Sequence, residues 1–199
     1  MVKRAALSGT AKEALLERCI EHLQEVGFSD LSMRELAAAI GTSHRMLHYH
    51  FGSREGLLVE IVNLMEARQR AALAALEADT RDLTELSRAF WKRLSDPALA
   101  PAERLFFEIY AHALNRRPWT VEFRRSVVTA WTDPVTEMLI KHGLPPQEAV
   151  RVARLSLAVG RGLLLDLLAT GDQAAVDDAA ELFAELITRP EEQRDSHQR

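Results

Sequence analysis

Between Ser32 and Arg54 lie three arginines (Arg34, Arg45, Arg54), three of the chain's seven histidines (His44, His48, His50) and Tyr49, against the single carboxylate of Glu35. Cations interleaved with an aromatic suit phosphate oxygens and base edges. Arginine can pair with O6 and N7 of guanine, and histidine and tyrosine can donate to phosphate. The 199-residue chain carries a formal charge of −4. The segment is thus a local positive field in an acidic chain, unlike a surface that coats nucleic acid indiscriminately. Other chemistries find little support. There is no G-x-S-x-G elbow, no phosphate-cradling glycine loop, no H-E-x-x-H and no CxxC. Asp177 and Asp178 read as a solvated helix face. No catalytic residue and no cofactor is expected, and the chain does not read as an enzyme. His44 and His48 have the i, i+4 spacing of a metal-binding pair, but no Cys, Asp or Glu stands where it would complete a site, so no metal is expected.

The elements that must hold these residues can be read locally. Ser32 with Glu35 three residues on forms a capping box, which predicts a helix from Met33 to Ile40. Gly41 can enter the left-handed conformation that stops it. Ser43 then caps a second short helix. With about 100° between successive residues, Leu47 and Phe51 share its buried stripe, and Thr42, Arg45, His48 and Tyr49 point outward. Arg45 is the first candidate for a guanine contact in the major groove.

The whole stretch resembles the DNA-binding domain of the TetR family of bacterial transcription regulators. That family's recognition helix commonly reads G-V-S-x-G-x-L-Y-x-H-F, followed by x-S/N-K-E-x-L. Gly41, Ser43, Leu47, His50 and Phe51 match in register, as do Ser53, Glu55 and Leu57, and Arg54 stands where lysine is usual. Thr10 to Phe28 resembles the first helix, which ends in a Gly-Phe pair, here Gly27 and Phe28. Thr42, Arg45 and His48 depart from the common valine, glycine and tyrosine. The resemblance implies base contacts from Arg34, Thr42, Ser43, His44 and Arg45, and phosphate contacts from Ser32, His48, Tyr49, His50 and Arg54. It further implies a homodimer on a pseudo-palindromic double-stranded DNA operator, acting as a repressor that a largely apolar small-molecule effector releases. The same fold acting as an activator or without an effector, and a helical ligand-binding module without a DNA role, are the alternatives.

Periodicity favours helix nearly everywhere, so the fold class is all-α. The expected organisation is an N-terminal three-helix helix-turn-helix DNA-binding domain (1–55), a C-terminal helical effector-binding and dimerisation domain (56–190) and a flexible tail (191–199). Thr10 with Glu13 reads as another capping box, opening a first helix that runs to about Val26 with Leu15, Cys19, Ile20 and Leu23 on one side. Ser53 caps a fourth helix from Arg54 to about Ala78, long enough to join the two domains. Breakers place further helices at about 81–95, 101–115, 119–142, 146–169 and 173–188. Pro134 should kink or split the third of these. Cys19 is the single cysteine. It excludes an intrachain disulfide, suits a reducing compartment and packs as a small hydrophobe. No signal peptide is expected, since Lys3 and Arg4 precede no apolar run of about 7–15 residues. Leu155 to Ala169, the most apolar stretch, is interrupted by Arg161 and Asp166 and falls short of the ~20 residues of a membrane span. A soluble cytoplasmic protein without a membrane partner is expected.

Two groups stand out in the C-terminal part. Phe90, Trp91, Phe106, Phe107, Tyr110, Trp119, Phe123 and Trp131 are large enough to line an apolar cavity, with Tyr110, His112 or Asn115 as polar orienters. Most aromatic side chains in such a position are core, and the resemblance is what raises the pocket reading. Small residues along a leucine-rich helix allow close approach of a second helix. Ala153, Ser156, Gly160, Arg161, Gly162 and Leu164, with Phe183 of the last helix, are the expected dimer interface, as the resemblance implies for the family's final two helices; a helix buried within the chain is the alternative. Arg161 and Asp166 would need partners, in an intersubunit ion pair or as a ligand anchor.

Overall fold

The computed structural model describes residues 2–26, 32–80 and 82–188. Within them the chain is all-α, with ten helices: α1 Val2–Val26, α2 Met33–Ala39, α3 His44–Phe51, α4 Arg54–Asp79, α5 Leu83–Leu94, α6 Ala100–Leu114, α7 Val121–Ser126, α8 Thr129–Lys141, α9 Pro146–Thr170 and α10 Gln173–Thr188. No strand occurs among the described residues. Gly27, Phe28 and the tail from residue 191 lie outside them. The start of α1 corrects the sequence expectation, since the helix runs through Thr10 from Val2. Alanine, lysine and arginine before Thr10 are strong helix formers, so a capping sequence there does not oblige the helix to begin.

The helices pack as two compact units. One holds the chain up to Ala67 together with Pro101–Phe123; the other holds Arg68–Ala100 and the chain from Arg124 on. Helix α4 contributes residues to both, and at 26 residues it is roughly 39 Å long. In the first unit, Leu15, Leu16, Cys19, Ile20 and Leu23 of α1 are buried, as are Leu36, Leu47, Leu57, Ile61 and Val62. Cys19 is fully enclosed, and burial pushes its thiol up to about 11. It therefore stays a protonated core side chain at neutral pH.

In the second unit, Leu86, Met138, Leu139, Ala149, Val152 and Ala153 form the core, with Leu73, Leu76 and Ile187 packed against it. Asp82 caps α5, its carboxylate accepting from the amides of Thr84 and Glu85 at 2.7 and 3.1 Å. Arg88 of α5 grips Glu181 of α10 through two nitrogens, and the Trp91 indole donates to Asp177 at 2.6 Å. The expected helix at 119–142 is divided at Val127–Val128, several residues before Pro134, which lies inside α8. The Arg161 guanidinium donates to the freed carbonyl of Val127 at 2.6 Å. A backbone carbonyl of the same chain thus accepts from Arg161, whereas Asp166 is exposed.

Candidate nucleic-acid interface

Helix α2 begins as a reciprocal box. Glu35 N–H donates to Ser32 Oγ at 3.3 Å, while the Ser32 amide and hydroxyl donate to Glu35 Oε2 at 2.9 and 2.7 Å. The Ser32 hydroxyl and amide beside it hold the Glu35 carboxyl below the usual carboxylate range. The helix stops in a six-residue wrap: Gly41 N–H donates to Ala38 O at 3.3 Å and Thr42 N–H to Ala37 O at 2.8 Å. That paired arrangement needs a left-handed residue at its centre, and Gly41 has φ +65°. Ser43 then caps α3, accepting from Met46 N–H at 3.2 Å.

This turn sets the presentation of α3. Leu47 is completely buried and Phe51 nearly so. The Lys12 ammonium from α1 lies 5.7 Å from the centre of the Phe51 ring and pairs with Glu60 of α4 at 2.8 Å. Anchored on that side, α3 exposes the other. Ser43, His44, Arg45, Met46, His48 and Tyr49 are exposed, Tyr49 at 75%, while Thr42 and His50 are half-buried. The His44 and His48 rings are parallel within 4°, with centroids 6.2 Å apart. Tyr49 stands edge-on to His50 at 5.0 Å. Arg34 is exposed on α2 and Arg54 half-buried in the first turn of α4. All ten sequence-derived DNA residues therefore lie on α2, α3, the turn between them or the ends that adjoin them, with cationic, hydroxyl and imidazole donors outward. Such a helix is what the major groove admits.

Sequence spacing does not single out three further residues here. Lys12 lies some forty residues upstream of the ring it covers. Met46 adds an exposed apolar side chain to the donor-rich face of α3. Gly56 sits where α3 and α4 meet, and a Cβ there would lie 2.3 Å from the Phe51 carbonyl oxygen. A glycine inside the first turn of a helix was the available signal.

The C-terminal candidates divide between the units. Phe106, Phe107, Tyr110 and Phe123 form one ring cluster, with neighbouring centroids 5.2–6.2 Å apart. His112 lies against Trp119 at 5.2 Å, and the exposed Asn115 amide donates to Ala111 O. Phe90 meets Trp131 at 5.8 Å in the other unit, where Arg70 also lies over Trp131. Phe106, Phe123 and Trp131 are buried core; the remaining rings are half-buried.

On α9, Ala153 and Leu164, both among the expected dimer residues, turn inward and are buried within the single chain. Ser156, Gly160 and Arg161 on α9 and Phe183 on α10 are half-buried. Leu155, Ala158, Gly162 and Leu165 form the exposed stripe, beside exposed Leu182 and Leu186 on α10. A Cβ at Gly160 or Gly162 would meet no atom within 4 Å. No cluster of three His, Cys, Asp or Glu suited to a metal occurs among the described residues, and no helix among them is long and apolar enough to cross a membrane.

Residues 15–61 match the family model described as bacterial regulatory proteins, tetR family. A search of curated proteins finds no match. Solved structures share the fold over nearly the whole chain. A TetR-family transcriptional regulator from Pectobacterium atrosepticum is 19% identical, with a TM-score of 0.73 over 92% of this chain and 95% of that one. The multidrug binding protein EbrR, complexed with imidazole, is 26% identical, with a TM-score of 0.63 over 91% and 92%. FadR of Thermus thermophilus, a TetR-family repressor in complex with lauroyl-CoA, is 20% identical, with a TM-score of 0.65 over 88% and 92%.

Proposed function

We propose that the protein, whose residues 15–61 match the model of the tetR family of bacterial regulatory proteins, is a sequence-specific transcriptional regulator, a homodimeric repressor released from its operator by a small molecule. The observation that carries this reading is the geometry of α3: a buried Leu47–Phe51 stripe opposite an exposed face of Arg45, His44, His48 and Tyr49. Arg45 pairs with guanine in the major groove, with Thr42, Ser43 and His44 beside it and Arg34 reaching from α2. Ser32, His48, Tyr49, His50 and Arg54 hold phosphates and fix the register. Residues 1–55 read DNA, and residues 56–190 dimerise and receive the effector.

Two copies of α3 on a two-fold protein read a pseudo-palindromic site. The exposed stripe of α9 and α10 supports this pairing, since Leu155, Leu165 and Leu182 are each about half exposed in the single chain (52%, 50% and 54%). Half-buried aromatic side chains near α6 suit an apolar effector, and EbrR and FadR were each solved with a small molecule bound. Release requires that the effector bind one dimer geometry better than the other, and α4, with residues in both units, is the element it must bias. Fluorescence-anisotropy titration against DNA fragments tiling the region upstream of the protein's own gene tests the reading. The expected result is one fragment bound in preference to its scrambled control at both low and high salt. Weak binding that salt abolishes for every fragment would refute it.

A further inference from the structure

We propose that His44 and His48 form a proton-linked contact with the operator, taking up protons as α3 seats in the groove, so that operator affinity tightens as pH falls. This rests on the DNA-binding reading above. The two rings are exposed, parallel within 4° and 6.2 Å apart. Two positive rings at that separation repel each other, and a phosphate beside them offsets the repulsion.

The surrounding charges leave that role to DNA. On α3 itself the neighbours are Arg45, Tyr49 and His50. The other helices of the same unit near α3 carry Lys12 on α1, Arg34 and Glu35 on α2, and Arg54, Glu55 and Glu60 on α4. Glu35 is engaged by Ser32 and Glu60 by Lys12. No hydrogen bond or ion pair joins either imidazole to another described residue. A complex that binds more protons than its separate components gains affinity as pH falls.

The test uses the full-length protein and the upstream fragment selected by tiling, at constant salt. Between about pH 8.0 and 6.5 the expected dissociation constant falls about tenfold. The H44Q/H48Q double variant should lose most of that slope. H142Q should keep it, because the His142 ring bonds the Met138 carbonyl on α8, in the other unit. Calorimetry at about pH 7 in two buffers of different ionisation enthalpy should show net proton uptake by the unmutated protein, a result that does not depend on any variant folding. Specific binding with a flat pH profile and no proton uptake would overturn this proposal and leave the DNA reading standing. A slope undiminished in the double variant would also overturn it. No specific binding at either pH would overturn the DNA reading itself, and the proposal with it.

Discussion

Arg45 is exposed on a helix whose inward side chains, Leu47 and Phe51, already secure it to the unit. Its removal should therefore leave folding intact and act on recognition alone. Arg45→Ala is expected to remove ~1–3 kcal/mol of discrimination at one base pair per half-site. Anisotropy titrations against single-base-pair operator variants would show preference relaxing at that pair and persisting elsewhere. A uniform loss across all variants would instead make Arg45 a phosphate contact. Glu35 makes a different prediction, about acid stability. Its carboxyl ionises at lower pH in the folded protein than in the unfolded chain, chiefly because the Ser32 hydroxyl and amide bond to it. Its contribution is complete above the unfolded carboxylate range, ~4.3, and is lost as pH falls through the depressed folded value. Glu35→Gln keeps the hydrogen-bonding box but removes the ionisation, so the fall in melting temperature between about pH 5 and 3 should be shallower than in the unmutated protein. An unchanged acid limb would show that the box carries no such dependence.

At the level of the elements, Gly41 before α3 and Gly56 in the first turn of α4 are required for opposite reasons. Gly41 has a left-handed φ of +65° with open space around it, so Gly41→Ala should cost only backbone strain, ~1–2 kcal/mol. Gly56 has no unusual φ, but its Cβ would press to 2.3 Å from the Phe51 carbonyl oxygen, a backbone atom that cannot rotate away. Gly56→Ala should cost more than Gly41→Ala, on the order of 2 kcal/mol or above, and should also weaken operator binding by displacing α3 against α4. Urea denaturation of the two variants ranks them, and equal midpoints would refute the close-approach argument. The same contrast explains what the sequence disclosed. Ser32, Glu35, Gly41 and Ser43 act within a few residues of themselves, so caps, turn and the outward face of α3 were all legible. Lys12 over Phe51, the carbonyl against Gly56 and the Arg161 contact at Val127 join residues distant in sequence or depend on a packing angle, and no local pattern encodes them. For that reason Pro134 misled about where the helix divides. The break falls at Val127–Val128, where Arg161 satisfies the carbonyl that the helix releases.

For the whole molecule, the proposed two-fold dimer sets the strongest constraint. A single α3 reads one half-site, whereas a dimer reads two, and tethering the second helix multiplies affinity by its effective concentration. The stripe of Leu155, Ala158, Gly162 and Leu165 on α9, with Leu182 and Leu186 on α10, is apolar, exposed in the protomer and separate from the inward set of Ala149, Val152, Ala153 and Leu164. Small residues at Ala158 and Gly162 would let a partner helix approach closely between the leucines. Replacing Leu155 and Leu182 together by glutamate places charge on this face without touching the protomer's own core. Light scattering should then report a monomer whose helical circular dichroism is unchanged, and operator affinity should fall by about 100-fold or more. If the variant remains a dimer, the interface lies elsewhere. If it becomes a monomer yet binds the full operator as tightly as before, the two-fold reading mechanism is wrong, and effector release could not work by changing the spacing of two recognition helices.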